Sequence, residues 1–279
     1  MTDRTSSPAN PKDYWDNRSA AWTAGASTGK ASDETFDRAL IEAADIKPDS
    51  RVLDLAAGTG DPTMTIAGHI KEAGSVVAFD MTGAMLSVAQ KRAESLGLNN
   101  VSIVSGNMEA LPFPDASFDA ITCRNGLMFP DDKPACVREA CRVLRPGARA
   151  AWLVWATIDE NPTYLTVNEG LGAYFKEEFP PRMVRHNLGQ EGALKSLLGE
   201  AGFANVEERR FAYERTVKAG DDYFRRAIAR TVPNKIGDLS DTDWDNLIAA
   251  VEDASADLRD GDTYRIPVVA RLGIGTKGG

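Results

Sequence analysis

Short apolar runs alternate along this chain with stretches in which apolar residues recur every three or four positions. The runs fall near residues 51–55, 75–79, 101–104, 118–123 and 149–155, and their scarcity of polar interruptions predicts strands buried on both faces. Between them, residues 62–72, 82–96 and 133–145 carry helical periodicity. The clearest is 82–96, where Met85, Ala89, Ala93 and Leu96 share one face, Thr82 is placed to cap and Gly97 to stop the helix. Strand and helix in alternation predict a parallel sheet covered on both sides by helices. A helix from about Glu34 to Ala44 ends before Lys47-Pro48, and Tyr14, Trp15 and Trp22 punctuate another before it.

After Trp155 the rhythm breaks. Asn161-Pro162, Phe179-Pro-Pro181 and Gly189 interrupt a segment rich in aromatic and long apolar side chains. A helix at 190–201 stops at glycine, a strand follows near 205–212, and 218–258 reads as helical and acidic. The last strand, Tyr264 to Gly273, contains Pro267, which is awkward in a central strand because it has no donor for the ladder.

The segment Arg51-Val-Leu-Asp-Leu-Ala-Ala-Gly-Thr-Gly-Asp-Pro-Thr63 joins the first strand to the helix after it. Gly58 and Gly60 permit positive φ and close approach of backbone to a ligand, and Asp61-Pro62 reads as an N-cap followed by proline at the first helical position. A dinucleotide fingerprint would place a third glycine at Thr63 and a pyrophosphate where Asp61 stands, so NAD is disfavoured. Twenty residues beyond Gly60, Asp80 ends the second strand, in position to accept hydrogen bonds from both hydroxyls of a ribose. An adenosyl ligand without pyrophosphate fits better.

Three further segments follow in order: Ser105-Gly-Asn-Met-Glu-Ala-Leu-Pro-Phe113, Ser117-Phe-Asp-Ala-Ile-Thr-Cys-Arg-Asn-Gly-Leu-Met-Phe-Pro130 and Val143-Leu-Arg-Pro-Gly-Ala148. With the glycine loop and Asp80, they make residues 50–156 resemble the class I S-adenosylmethionine-dependent methyltransferases. Ala56-Ala-Gly-Thr-Gly-Asp61, with alanine at the first glycine position, is most similar to the ubiquinone and menaquinone biosynthesis C-methyltransferase family. The resemblance implies a Rossmann-like doubly wound α/β sheet, mostly parallel with an antiparallel last strand beside the fifth, plus a helical substrate cap. It implies S-adenosylmethionine as methyl donor and S-adenosylhomocysteine as product. Asp54 would then lie towards the methionine part of the cofactor, its other reading being a loop-capping carboxylate. Ala56, Gly58, Thr59 and Gly60 would wrap the ligand, Asp80 would hold the ribose, and Met81 and Met108 would cover the adenine faces or fill the core. The family more often has aspartate where this chain has Asn107, whose amide oxygen can accept the adenine amino hydrogen without charge assistance.

The expected organisation is a disordered tail (1–11), N-terminal helices forming part of the active-site cover (12–48), a cofactor-binding core (49–156), a substrate cap (157–203), and strands and helices completing the sheet (204–279). Lys and Arg total 32 against 41 Asp and Glu, a formal net charge of -9 with no basic stripe, which disfavours nucleic acid as partner. Cys123, Cys136 and Cys141 lack paired metal-ligand spacing, so no metal is expected. The start lacks an apolar signal region and no run is long enough to span a bilayer, which makes cytoplasmic residence the expectation. Peripheral membrane contact stays open if the acceptor is a lipid, and the oligomeric state is not encoded in any of these features.

Methyl transfer from a sulfonium is an in-line displacement that needs alignment more than proton transfer. A base matters when the acceptor is a phenol, an enol or a carbon activated by a phenolate. His186, in the cap, is the candidate base, whereas His69 reads as a surface or packing residue. Arg124 and Asn125 follow the fourth strand, where ligands bind outside the carboxyl ends, and either orient the acceptor or form a solvated loop pair. Tyr14, Trp15, Trp22, Tyr164, Tyr174 and Phe175 suit an aromatic acceptor pocket; Trp155 can reach it from its strand end, while Trp152 is a packing residue. The function expected is methyl transfer to carbon or oxygen of a small aromatic or apolar acceptor. The alternatives are an adenosylmethionine-binding enzyme with a different reaction and a non-catalytic regulatory module.

Overall fold

The computed structural model describes Trp15 and residues 34–279; the tail and the helix read around Tyr14 and Trp22 lie outside the described residues. Strands β1 (Arg51–Leu55), β2 (Ser75–Asp80), β3 (Val101–Ser105), β4 (Phe118–Arg124), β5 (Leu144–Trp155), β6 (Phe203–Lys218), β7 (Arg259–Asp260) and β8 (Thr263–Lys277) build one sheet. Its order is β3-β2-β1-β4-β5-β8-β6, with the short β7 beside β8. The first five strands run parallel, and β8 enters antiparallel between β5 and β6, as expected for the last strand. Strand order reverses between β1 and β4, so a crevice opens at their carboxyl ends.

Eight helices are described: α1 (Glu34–Ala43), α2 (Thr63–Ile70), α3 (Gly83–Ser95), α4 (Lys133–Val143), α5 (Thr163–Phe175), α6 (Ala193–Glu200), α7 (Tyr223–Thr231) and α8 (Asp241–Ala254). They cover both faces because strand residues alternate. Val52, Val76 and Ala120 pack with Phe36, Leu40, Ile66 and Ile70 on one side. Leu53, Leu55, Ile121 and Trp152 pack with Val137, Ala140 and Leu198 on the other. Each such fully buried side chain contributes roughly 1.5–3 kcal/mol. The same alternation puts Asp54, two positions after Val52, inside the first of these apolar layers.

Several local expectations are corrected. Leu96 is not part of the buried face of α3; it is 60% exposed, because the helix ends at Ser95 and the chain turns away through Gly97 at φ +66°. Asp61 does not cap α2, which starts at Thr63 with Pro62 at the capping position. Its carboxylate instead pairs with Arg92 at 2.9 Å, and Arg92 also donates to the Thr59 carbonyl at 2.7 Å, so the glycine loop is tied to α3. Regular pairing of β5 begins at Arg149 as read, but the strand starts at Leu144 across a register shift. β6 runs on to Lys218, and α7 and α8 occupy the rest of the acidic segment. Pro267 is accommodated because β5 ends at the Trp155–Ala270 pair. The Val269 N–H points away from β6 to Asn161 Oδ1, at 3.0 Å, and Pro267, two residues earlier, turns its nitrogen to that same unpaired side.

Candidate active site

At the end of β1 the chain enters positive φ three times, at Ala56, Gly58 and Gly60. This folds the loop across the sheet and turns backbone N–H groups towards Asp80. Asp80 Oδ2 accepts the Gly58 N–H at 2.9 Å and Oδ1 accepts the Thr82 N–H at 2.8 Å. The Thr82 hydroxyl makes no capping bond, so this Asx turn, not a threonine cap, shapes the start of α3. Burial raises the Asp80 pKa, opposed by the two N–H donors. Each carboxylate oxygen keeps a lone pair for a ligand hydroxyl. From the other side, the loop after β4 closes in: a Cβ on Gly126 would lie 2.3 Å from Ala56 Cβ, so only glycine permits this approach.

Beneath the loop, Asp54 is fully buried and accepts hydroxyl hydrogens from Thr63 at 2.5 Å and Thr122 at 2.8 Å. Desolvation drives its pKa up to about 7 in spite of both bonds. Next to it sits a residue the sequence reading missed. Asp37 of α1 is buried, accepts Thr65 Oγ1 at 2.7 Å and pairs with Arg124 Nη1 at 2.8 Å. Burial pushes its pKa up against the pull of Arg124. Arg124 also lies 5.4 Å from the centre of the Phe36 ring, so it is no solvated loop residue. Asn125, at φ +54°, donates its N–H to Leu153 O at 2.7 Å, and its buried Oδ1 has no hydrogen-bond partner.

Aromatic rings line the next part of the crevice. Trp155, at the end of β5, meets Phe36 at 5.6 Å and Tyr164 at 5.6 Å, and Tyr164 meets the His186 ring at 5.2 Å, all edge to face. Trp15 stands edge-on to Phe129, 4.8 Å away, in the loop after β4. The turn that carries His186 is fastened to the sheet. Asn187 Nδ2 donates to Met128 O at 3.0 Å, and Gly189 lies so close to Ala156 that an added Cβ would be 2.5 Å from its carbonyl carbon. His186 Nδ1 is 2.6 Å from Ala156 O, so Nδ1 carries the hydrogen and Nε2 the lone pair. Burial lowers the His186 pKa to about 4, leaving the ring neutral.

Other sequence candidates fall elsewhere. Tyr174 and Phe175 do not join the pocket, because ten helical residues place them roughly 15 Å along α5 from Tyr164. Tyr174 bonds Asp243 there, and Phe175 packs on Phe179. His69 is exposed, near Ile46 O, and Trp152 is a packing residue against Phe203. Asn107 is exposed, its amide turned to Glu109. Met81 and Met108 are half-buried, Met108 within reach of Gly126. Cys123 is buried with its thiol pKa pushed up to about 12, which suits packing and not nucleophilic chemistry.

Two carboxylates flank the loop, Asp54 bonded to Thr63 and Asp80 bonded to the Gly58 N–H, and just past β4 the buried Asn125 Oδ1 has no hydrogen-bond partner. That set suits a ligand with ribose hydroxyls and a cationic amino acid part, which is what S-adenosylmethionine presents. The ubiE/COQ5 methyltransferase family model matches residues 33–215. The ubiquinone/menaquinone biosynthesis C-methyltransferase UbiE of Xanthomonas oryzae is 37% identical over 182 residues, covering 61% of this chain and 72% of its own. That of Cronobacter sakazakii is 33% identical over 188 residues, covering 61% and 73%. Among solved structures, phosphoethanolamine N-methyltransferase 2 of Haemonchus contortus with S-adenosylmethionine has a TM-score of 0.61 at 16% identity, over 98% of this chain and 61% of that one. The [4+2]-cyclase SpnF has a TM-score of 0.59 at 18% identity, over 98% of this chain and 100% of its own. These structures establish the fold, and the second shows that the fold alone does not choose the reaction. The match over 33–215 does, because it takes in α1 with Asp37, the glycine loop, Asp80, Arg124 and the turn of His186: the chain belongs to the ubiE/COQ5 methyltransferase family and is an S-adenosylmethionine-dependent methyltransferase.

Proposed function

We propose that the methyl acceptor is a small planar phenol or hydroquinone, methylated on a ring carbon. The names of the relatives point to quinone biosynthesis, and the net charge of -9 disfavours a nucleic acid in its place. The observation that carries the reading is the row Phe36, Trp155, Tyr164 and His186 at the carboxyl end of β5, a wall of rings closed by one neutral imidazole. S-adenosylmethionine supplies, when bound, an electrophilic methyl on a positive sulfur. In our reading Asp80 holds its ribose, the 56–60 loop approaches it by backbone, Asn125 Oδ1 takes its ammonium, Asp54 braces the loop from below through Thr63, and Met81, Met108 and Asn107 border the adenine. His186 Nε2 accepts a hydrogen bond from an acceptor hydroxyl, which raises the electron density of the ring carbons, while Trp15, Trp155 and Tyr164 exclude water.

The cover over this site, in our reading, is residues 34–48 and 157–203 with α7 and α8 added to it. Gly170 of α5 fits against Val251 of α8 with no space for a side chain, so these helices form one layer. Incubating the protein with methyl-labelled S-adenosylmethionine and a cell extract tests the reading. A labelled small aromatic with the methyl on carbon is expected. Label found only in ethers, amines or macromolecules would overturn it.

A further inference from the structure

We propose that Arg271 is a positioning residue for methyl transfer: from within the sheet its guanidinium holds the main chain of the turn that carries His186, and so keeps that ring away from water and aimed at the acceptor. The proposal rests on the reading of His186 Nε2 as the group that meets the acceptor hydroxyl. Arg271 occupies β8, opposite Val154 of β5 on one side and Arg210 of β6 on the other. It is only 7% exposed, on the face of β8 where Leu194 packs over Gly273. A charged side chain so placed is costly, and packing alone would be served better by an aliphatic one.

The guanidinium makes two bonds there. Its Nε donates to the Gly189 carbonyl at 3.0 Å, and its Nη2 donates to Glu160 Oε2 at 2.8 Å. The Gly189 N–H closes the turn on the His186 carbonyl at 2.9 Å, so Arg271 grips the residue on which the turn ends. Glu160 is held in its own place by Arg210 Nε, 2.7 Å from Oε1, and by the Thr157 hydroxyl, 3.2 Å from Oε2. One carboxylate thereby lies between two guanidiniums that face each other across the β8–β6 ladder, and it offsets their repulsion. The chain of charges runs from β6 through the segment after β5 to β8, and it ends on the His186 turn.

Gly189 lets that turn lie against Ala156, but close approach is not attachment. Two ties come from side chains of the turn itself, His186 to Ala156 O and Asn187 to Met128 O. Arg271 supplies a tie from the sheet to the main chain of the turn. Gly189 is buried, so losing Arg271 leaves its carbonyl without that donor, and lifting the turn into solvent relieves the cost. The His186 ring then meets water, and its proton affinity returns towards that of an ordinary imidazole.

NMR titration of the His186 ring, on the full chain saturated with S-adenosylhomocysteine, tests this. The chain has two histidines, so in a His69→Gln background the imidazole signals are those of His186. With Arg271 in place the midpoint should lie at about 4. Arg271→Met should raise it to roughly 6, and Arg271→Lys, which keeps the charge beside Glu160 but not the second donor, should fall between. S-adenosylhomocysteine affinity should be unchanged in both. Methylation of the labelled acceptor should slow about tenfold in Arg271→Met, the loss lying in kcat and not in KM for S-adenosylmethionine. A midpoint that stays where it was in Arg271→Met overturns the proposal. Should that variant not fold, Glu160→Gln carries the test with an expected rise of about one pH unit, and an unmoved midpoint there overturns the proposal in the same way. The reading beneath it fails separately: wild-type methylation by His186→Ala would take the ring out of the reaction, and Arg271 with it, even where the titration moves as expected.

Discussion

Asp37 of α1 and Arg124 at the end of β4 are joined across 2.8 Å, with the aspartate side chain fully buried. The pair binds a helix that precedes the sheet to the carboxyl end of β4. Removing one partner leaves a buried charge alone, so Asp37→Ala should destabilise the protein by about 3–5 kcal/mol in urea unfolding. Adding Arg124→Met to that variant should restore part of the loss. A change below about 1 kcal/mol for Asp37→Ala would show that the pair is not held in solution.

Asp80→Ala should weaken S-adenosylhomocysteine binding by at least about tenfold, since it removes a ribose acceptor and releases the Gly58 and Thr82 N–H groups together. Isothermal calorimetry measures this directly. Unchanged affinity would remove Asp80 from the ribose site.

Gly126→Ala forces a methyl to within 2.3 Å of Ala56 Cβ unless the loop moves. A destabilisation of about 1–3 kcal/mol is expected, with weaker cofactor binding as the glycine loop is displaced. A variant with wild-type stability and wild-type affinity would contradict the close approach of these two loops.

Asp54 should print its titration on stability. Its folded pKa of about 7 lies above the ordinary value near 3.9, so the protonated form is the one the fold favours. The contribution is fully present below about pH 4 and is lost as pH rises through 7. Between those limits the wild type should lose roughly 1.4 kcal/mol per pH unit relative to Asp54→Asn, which cannot ionise. Parallel stability curves for the two proteins from pH 5 to 7 would refute this.

His186 should act as a neutral acceptor throughout the working range. With a pKa of about 4, it adds no inflection to the methylation rate between pH 6 and 8. His186→Ala should lower the rate by about a hundredfold at each of these pH values, with cofactor affinity unaltered. A wild-type inflection near 6.5 that vanishes in the variant would mean that the ring charges during turnover.

What could be read from the chain was what it encodes locally. Gly58, Gly60 and Asp80 announce themselves because strand, turn and carboxylate follow one another within about thirty residues and need no distant partner. Asp37 did not, since in Glu34-Thr-Phe-Asp37 it resembles any acidic residue of a first helical turn, and its burial depends on Arg124, 87 positions later. Asp61 misled for the same reason: next to proline it has the look of a cap, but Arg92, 31 positions on, claims it. Tyr164 and Tyr174 share a helix, and only the length of that helix separates a ring set against Trp155 and His186 from one bonded to Asp243.

Gly189 decides how rigidly the His186 turn is carried. Because no side chain fits between it and the Ala156 carbonyl carbon, the turn bearing Arg185 and His186 is mounted backbone to backbone on the end of β5. The height of the His186 ring above the sheet is thereby set by main chain, and a change of side chain on the turn, at Arg185 for example, alters its surface without moving that mount.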